Sequence, residues 1–427
     1  MKEDFLHYVW KFQKFTTTQL HSTQGELVNV ISVGMHNHNS GPDFFNAKIS
    51  IDGQLWAGNV EIHLKASDWY AHHHEKDTAY DSVILHVVWE QDAEVFTKDN
   101  ASIPTIELKN CVDTKILTRY KELFAKKQRW IPCENQISQV DSFILTNWLE
   151  RLYFERLQQK SELILKELAT SNNHWEAVLF KLLAKNFGLK VNGDSFYSIA
   201  QSIDFSVVKK CVQPLDLEAL LMGQAGLLAG HNEDGYGKKL QQTYMYLCHK
   251  FNISNTEVVV PKYFRLRPPN FPTIRLSQLA MLYADQKHLF SKIISISEKN
   301  DFYTLFDVSA STYWDAHYNF GTVSSKRKKK LTKTFIDLLL INTIIPLKFC
   351  YASYLKKDIS EEIIQLTTSI AKEQNTIIKK FNALMPIAET ALQSQGLLQL
   401  KNQYCDKIQC LQCAVGTSIL NKQSEEF

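Results

Sequence analysis

The sequence predicts an α+β fold: an N-terminal α/β domain of order αβββαβ over residues 1–110, then a large all-α region over 111–427. Three observations predict it. Short runs of β-branched and alternating residues dominate the first hundred positions. Long stretches with helical spacing take over after them. A proline-rich stretch near 261–272 then interrupts the helical part and could divide it into two subdomains.

Taken in order, residues 3–15 carry Phe5, Leu6, Val9, Trp10 and Phe12 at the spacing of an amphipathic helix. Residues 26–34 (ELVNVISVG) read as a strand. Residues 44–51 (FFNAKISI) and 54–65 (QLWAGNVEIHLK) read as two more, joined by the hairpin signal Asp52-Gly53. Residues 67–81 open with the N-cap residue Ser67 and read as helix or loop. The continuous run VILHVVW at 83–89 reads as a buried strand. Helical spacing follows over 142–170, 174–187, 197–204, 214–229, 235–251, 272–298, 329–356, 360–393 and 395–404. Pro268 and Pro269 cannot occupy a helix interior, so FRLRPPNFP is an ordered loop or linker.

The 427 residues carry a formal net charge of +3, so any nucleic-acid contact must rest on local basic patches. The opening MKEDFLHYVWKF lacks the apolar run of a signal peptide. The longest apolar window, 335–349, contains Asp337, Asn342, Pro346 and Lys348 and is short for a bilayer. These features lead us to expect a cytoplasmic chain with no membrane partner and with reduced thiols. The sequence holds no glycine-rich phosphate loop, no Ser-His-Asp signature and no HExxH, which argues against several nucleotide-binding and hydrolase classes.

Nine of the fourteen histidines fall in the first 90 residues, where a uniform spread would put about three. Strand alternation turns Glu61, His63 and Lys65 to one face and Val60, Ile62 and Leu64 to the other. The preceding strand opens with Gly41-Pro42-Asp43, which sets a second carboxylate beside Glu61. Two carboxylates from adjacent strands suit a hard cation such as Mg²⁺ or Mn²⁺. Such an ion polarises a phosphoryl oxygen and activates water. His74 and His86 are further candidate ligands. The alternative is a solvated strand face, with His72-His73-His74 on a helix surface and His86 as a bonded core residue.

On these residues the N-terminal domain resembles the PD-(D/E)xK nuclease superfamily, which implies a restriction-endonuclease-like fold. The resemblance implies Asp43 and Glu61 as metal carboxylates and puts His63 where that superfamily has lysine. Lys65, on the same face, could supply the missing charge. On GPDFFNAKI, GNVEIHLKASDW, ILHVVW, LEALLMGQAGLL, FRLRPPNFPTIRLSQLA and YCDKIQCLQCAVG, nearly the whole chain resembles the bacterial family domain of unknown function 2851, a resemblance that implies no activity.

Cys405, Cys410 and Cys413 form C-x4-C-x2-C, and Cys133 is a candidate fourth ligand for Zn²⁺ or an iron–sulfur cluster. The same segment also reads as an amphipathic helix with buried free thiols. The basic run 326–330, with Lys328 and Lys329, is either a solvated helix start or a phosphate-contact patch. Arg265 and Arg267 flank aromatic Phe264 and could grip a DNA or RNA strand; with Arg275 they could equally pin the proline-rich loop to a helical core. The leading expectation is a metal-dependent nuclease-like protein. Its alternatives are a non-catalytic nucleic-acid-binding protein that retains the fold, and a zinc-dependent hydrolase using the N-terminal histidines.

Overall fold

The computed structural model describes residues 1–125, 129–230 and 234–422. The chain forms two compact units: Met1–Trp148 together with Leu400–Phe427, and Leu149–Gln399.

The first unit opens with helix α1 (Glu3–Lys11), which buries Phe5, Leu6, Val9 and Trp10. It stops short of residue 15 because Gln13 takes a left-handed conformation, φ +48°. The single strand expected over 26–34 is two, β1 (Val28–Ser32) and β2 (Met35–His36). Gly34 separates them at φ +87°, where a Cβ would lie 2.5 Å from the carbonyl oxygen of Phe45. Strands β3 (Phe44–Ile51) and β4 (Gln54–Lys65) stand where the alternation and the Asp52-Gly53 turn put them. Then come the short helix α2 (Asp68–Ala71), two 3₁₀ turns (His74–Lys76 and Thr78–Tyr80), and β5 (Val83–Glu90). A three-residue strand β6 (Thr105–Glu107) completes the sheet. It is too short to leave an alternation signal.

The sheet order is β1-β3-β4-β5-β6, with β2 also paired to β3. β1, β3 and β4 form an antiparallel meander, and β4–β5 and β5–β6 are parallel. A parallel neighbour needs a crossover, and the segment containing α2 supplies the one from β4 to β5. Two register facts place the chemistry. Phe44 pairs with Val60 just before an irregularity at left-handed Asn46, and Glu61 pairs with His86. Helix α3 (Thr114–Leu123) and the late helix Ala414–Asn421 also belong to this unit.

Among its described residues the second unit is mostly helical, with a two-stranded ribbon, His317–Asn319 with Thr322–Val323. Its core includes Phe180, Phe187, Phe196, Phe302, Phe306 and Trp314. Fully buried Glu218 accepts hydrogen bonds from Tyr236, Ser311 and Trp314, which offsets much of its desolvation. The helix expected over 272–298 is two, Pro272–Asp285 and Leu289–Ser295, split beside left-handed His288. The one expected over 360–393 breaks into Ser360–Thr368 and Thr376–Leu384, with a third helix, Ala391–Gln399, beginning at its end. Lys333–Tyr354 is long and apolar enough to cross a membrane, longer than the 335–349 window suggested; 72% of its most apolar window is buried in the protein, as in a core helix.

Candidate metal centre

Asp43 and Glu61 hold each other's strands. The Asp43 amide donates to Glu61 Oε2 at 3.1 Å, and the Ile62 amide donates to Asp43 Oδ2 at 2.9 Å. The clasp follows from the register, since Asp43 immediately precedes the Phe44–Val60 pair and Glu61 immediately follows it. The expected polar face of β4 is therefore largely covered. The Glu61 side chain is 6% exposed and that of His63 only 1%.

The cover comes from α2 and the 3₁₀ turns. Trp69 is buried against the rings of His74, His86 and Tyr80. His73 takes φ +61°, and its neighbours His72 and His74 both approach His63, with ring centres 5.0 and 5.2 Å away. His74 Nε2 lies 3.3 Å from Glu61 Oε1 and stacks on Tyr80 at 3.8 Å. His63 is bonded at both ring nitrogens: Nδ1 to His86 Nε2 at 2.9 Å and Nε2 to His72 Nδ1 at 3.1 Å. His63, His72 and His74 each offer a ligand atom, all within 4.8 Å of one another. A second such group joins Glu3, His7 and Asp43. Helix α1 supplies its histidine, with His7 Nε2 3.3 Å from Asp43 Oδ2 and 3.6 Å from Glu3 Oε1.

The electrostatics sort these groups. Burial, joined by the Asp43 charge, pushes Glu61 up to about 7 against the opposing bond from His74. Burial and the neighbouring imidazoles push His63 down to about 2. Burial and His74 push His86 down to about 3. Both rings are neutral at pH 7. For His7 burial opposes the charge, but the ion pairs with Asp43 and Glu3 prevail and raise it to about 9. The cation beside the carboxylates is therefore His7.

The structure brings together Asp43, Glu61, His63, His74 and His86, the last behind His63 with its Nδ1 lacking a hydrogen-bond partner. Lys65 stands apart at the exposed end of β4. Its amide donates to Asp68, and its ammonium adds to the Ser67 hydrogen bonds that hold Asp92 below the usual carboxylate range. His7, Glu3 and His72 were not among the expected site residues. The Glu3–His7 spacing of four on a helix was a usable signal for the first two; for His72, nothing local announced the left-handed turn at His73.

The remaining candidates lie elsewhere. Arg265 and Arg267 are exposed in the second unit, and Arg265 rests on Phe264. Arg275 turns inward, bonding Gln278 and Asn270 and covering the Phe335 ring at 3.6 Å, which ties the proline-rich loop to its helices. Lys328 is exposed in an irregular segment, so the basic run does not begin a helix. Lys329 is buried, donates to the Asp315 carbonyl at 2.7 Å and covers Tyr318, so it presents no ammonium for phosphate. Cys133, Cys405, Cys410 and Cys413 all lie in the first unit.

A family model described as "Protein of unknown function (DUF2851)" matches residues 3–376, and the chain belongs to that family. The matched range ends before YCDKIQCLQCAVG. Comparison with curated proteins and with solved structures finds no match.

Proposed function

We propose that this chain, as a member of that family, is a metal-dependent phosphodiesterase acting on nucleic acid, with Asp43 and Glu61 as the metal carboxylates. The observation that carries this reading is the reciprocal clasp of Asp43 and Glu61 across β3 and β4. It fixes two acids side by side in a partly dry setting, where burial and the Asp43 charge disfavour the ionised form of Glu61. A divalent cation relieves that repulsion. The order helix, antiparallel meander, crossover and parallel strand is also what the PD-(D/E)xK resemblance implies.

Asp43, Glu61 and His74 together would give a divalent ion mixed ligands: the two carboxylates would supply oxygens, and His74, whose Nε2 lies 3.3 Å from Glu61 Oε1, would supply a nitrogen. Imidazole suits Mn²⁺ better than Mg²⁺. The bound ion would polarise a phosphoryl oxygen and acidify water. The chain's own groups do the rest. His86 fixes the His63 ring, and a neutral His63 with both nitrogens bonded orients His72. The cationic role carried by lysine in the PD-(D/E)xK pattern passes to His7, held charged by Asp43 and Glu3 and placed to offset charge on a phosphate.

The test is cleavage of single- and double-stranded DNA and RNA with Mn²⁺ or Mg²⁺ by wild type and by Asp43→Asn with Glu61→Gln. Metal-dependent cleavage lost in the double variant is expected. Equal background in both refutes the reaction, and salt-sensitive binding without cleavage would identify a non-catalytic binding protein. A second reading rests on a different observation: three imidazole nitrogens, from His63, His72 and His74, lie within 4.8 Å. That set suits a zinc hydrolase. Stoichiometric zinc that is lost on His72→Ala but kept in Asp43→Asn would favour it.

A further inference from the structure

The first unit holds a second cluster of metal-binding side chains, made of sulfur. Cys133 comes from the turn after Trp130-Ile131-Pro132, where its carbonyl accepts the amides of Gln136 and Ile137 at 2.9 Å each. The other three come from the far end of the chain. Cys405 closes a wide π-helical turn, Leu400–Cys405. Cys410 opens a 3₁₀ turn, and Cys413 caps the helix Ala414–Asn421. The expected continuous amphipathic helix is absent here. The backbone breaks between Cys405 and Cys410, where Ile408 takes φ +56° with an exposed side chain. A β-branched residue in the left-handed region is strained, and such strain persists only where the surroundings impose it.

These thiols are gathered. Cys133, Cys410 and Cys413 are buried and Cys405 is half-buried. Lys401 Nζ lies 5.5 Å from the centre of the Trp130 ring, Tyr404 meets Trp148 edge-on at 5.3 Å, and the Cys413 amide donates to the Cys410 carbonyl at 3.3 Å, which draws the three late cysteines to the segment that carries Cys133. None of the eight cysteines is in a disulfide. Cys413 takes the N-cap position of the helix Ala414–Asn421, and the positive end of a helix favours a thiolate. Gly416 is required there, because a Cβ would come within 2.1 Å of the Cys410 carbonyl oxygen.

We propose that Cys133, Cys405, Cys410 and Cys413 form a tetrathiolate metal centre that fastens the C-terminal segment to the segment around Cys133. A soft metal would bind the four as thiolates, since coordination deprotonates a thiol outright. The spacing favours one occupant. Zn–S bonds of about 2.3 Å would draw four sulfurs to about 3.8 Å from one another. Among the described residues no three of these sulfurs lie within 4.8 Å of each other. That spread suits a polynuclear iron–sulfur core held by four cysteines.

The test uses the full chain, purified without oxygen and assayed for iron, acid-labile sulfide and zinc. Iron with sulfide is expected, with broad visible absorbance, both lost in Cys405→Ser and in Cys413→Ser and kept in Cys350→Ser. Stoichiometric zinc lost in the same two variants upholds the tetrathiolate centre with the other soft metal. Metal-free wild type, or metal kept in both variants, overturns it. Should the variants fail to fold, iodoacetamide labelling of wild type before and after metal removal decides. The centre predicts that Cys405 becomes reactive only after removal, and unchanged labelling overturns it.

Discussion

Glu61→Gln should stabilise the metal-free protein while abolishing its response to metal. Glu61 is a carboxylate whose folded value, about 7, lies above the ordinary 4.5, with burial as the main cause. The sign follows from proton linkage. The stability this group contributes is fully present below 4.5 and is lost as pH rises through about 7. At about 1.4 kcal/mol per pH unit, that gap makes the ionised side chain a burden of about 3 kcal/mol by about pH 8. Glutamine removes the charge, keeps an oxygen for the Asp43 amide, and weakens the contact with His74 at a cost of about 1 kcal/mol. The net gain at about pH 8 is therefore about 2 kcal/mol, and it should shrink by a similar amount by about pH 5.5. Urea unfolding in EDTA at both pH values reads this directly. Added Mn²⁺ should then stabilise wild type and leave the variant unmoved. A variant less stable than wild type by the same amount at both pH values would show that Glu61 is a structural acid whose charge carries no penalty in the folded protein.

Other consequences are measurable. His7→Gln should leave metal content intact and slow Mn²⁺-dependent cleavage by about a hundredfold; wild-type activity should fall as pH rises through about 9, and a profile flat through that range refutes a cationic role. His86→Leu frees Nδ1 of His63 and should weaken Mn²⁺ binding by about tenfold to a hundredfold in titration calorimetry, and unchanged affinity would leave His86 a packing residue. Arg275→Met removes two bonds and a ring contact and should cost about 2–4 kcal/mol of stability by denaturant unfolding, with metal binding unaffected. Gly396→Ala places a Cβ 2.5 Å from the Leu149 carbonyl oxygen and should cost about 1–3 kcal/mol, and a neutral result would contradict that close approach.

The strands carrying the carboxylates were legible because their signals are local. Alternation over 44–51 and 54–65 and the Asp52-Gly53 turn fix the hairpin register as far as the Ala47–Gly58 pair, and a one-residue shift at left-handed Asn46, which has no local signal, then sets Asp43 beside Glu61. The helical region was legible as helix, but its breaks at His288 and beyond Thr368 were not, because apolar spacing continues across them. What the site gains from distant segments left no local trace. His7 arrives from a helix, and His72 and His74 converge through one left-handed residue. The face of β4 looked like ordinary strand polarity because nothing in VEIHLK says that Trp69 and the 3₁₀ turns will cover it. Lys65 lies beyond that cover, so its place on the same face did not bring it to the acids. Lys329 turned inward because the Asp315 carbonyl and the Tyr318 ring give its ammonium a partner that a charge count cannot foresee.

The most direct measurement is the position of Mn²⁺ by anomalous diffraction from crystals grown with the ion. A peak bridged by the carboxylates of Asp43 and Glu61, with His74 as a nitrogen ligand, is expected. A peak held by His63, His72 and His74 without Asp43, or no peak at saturating Mn²⁺, would contradict it.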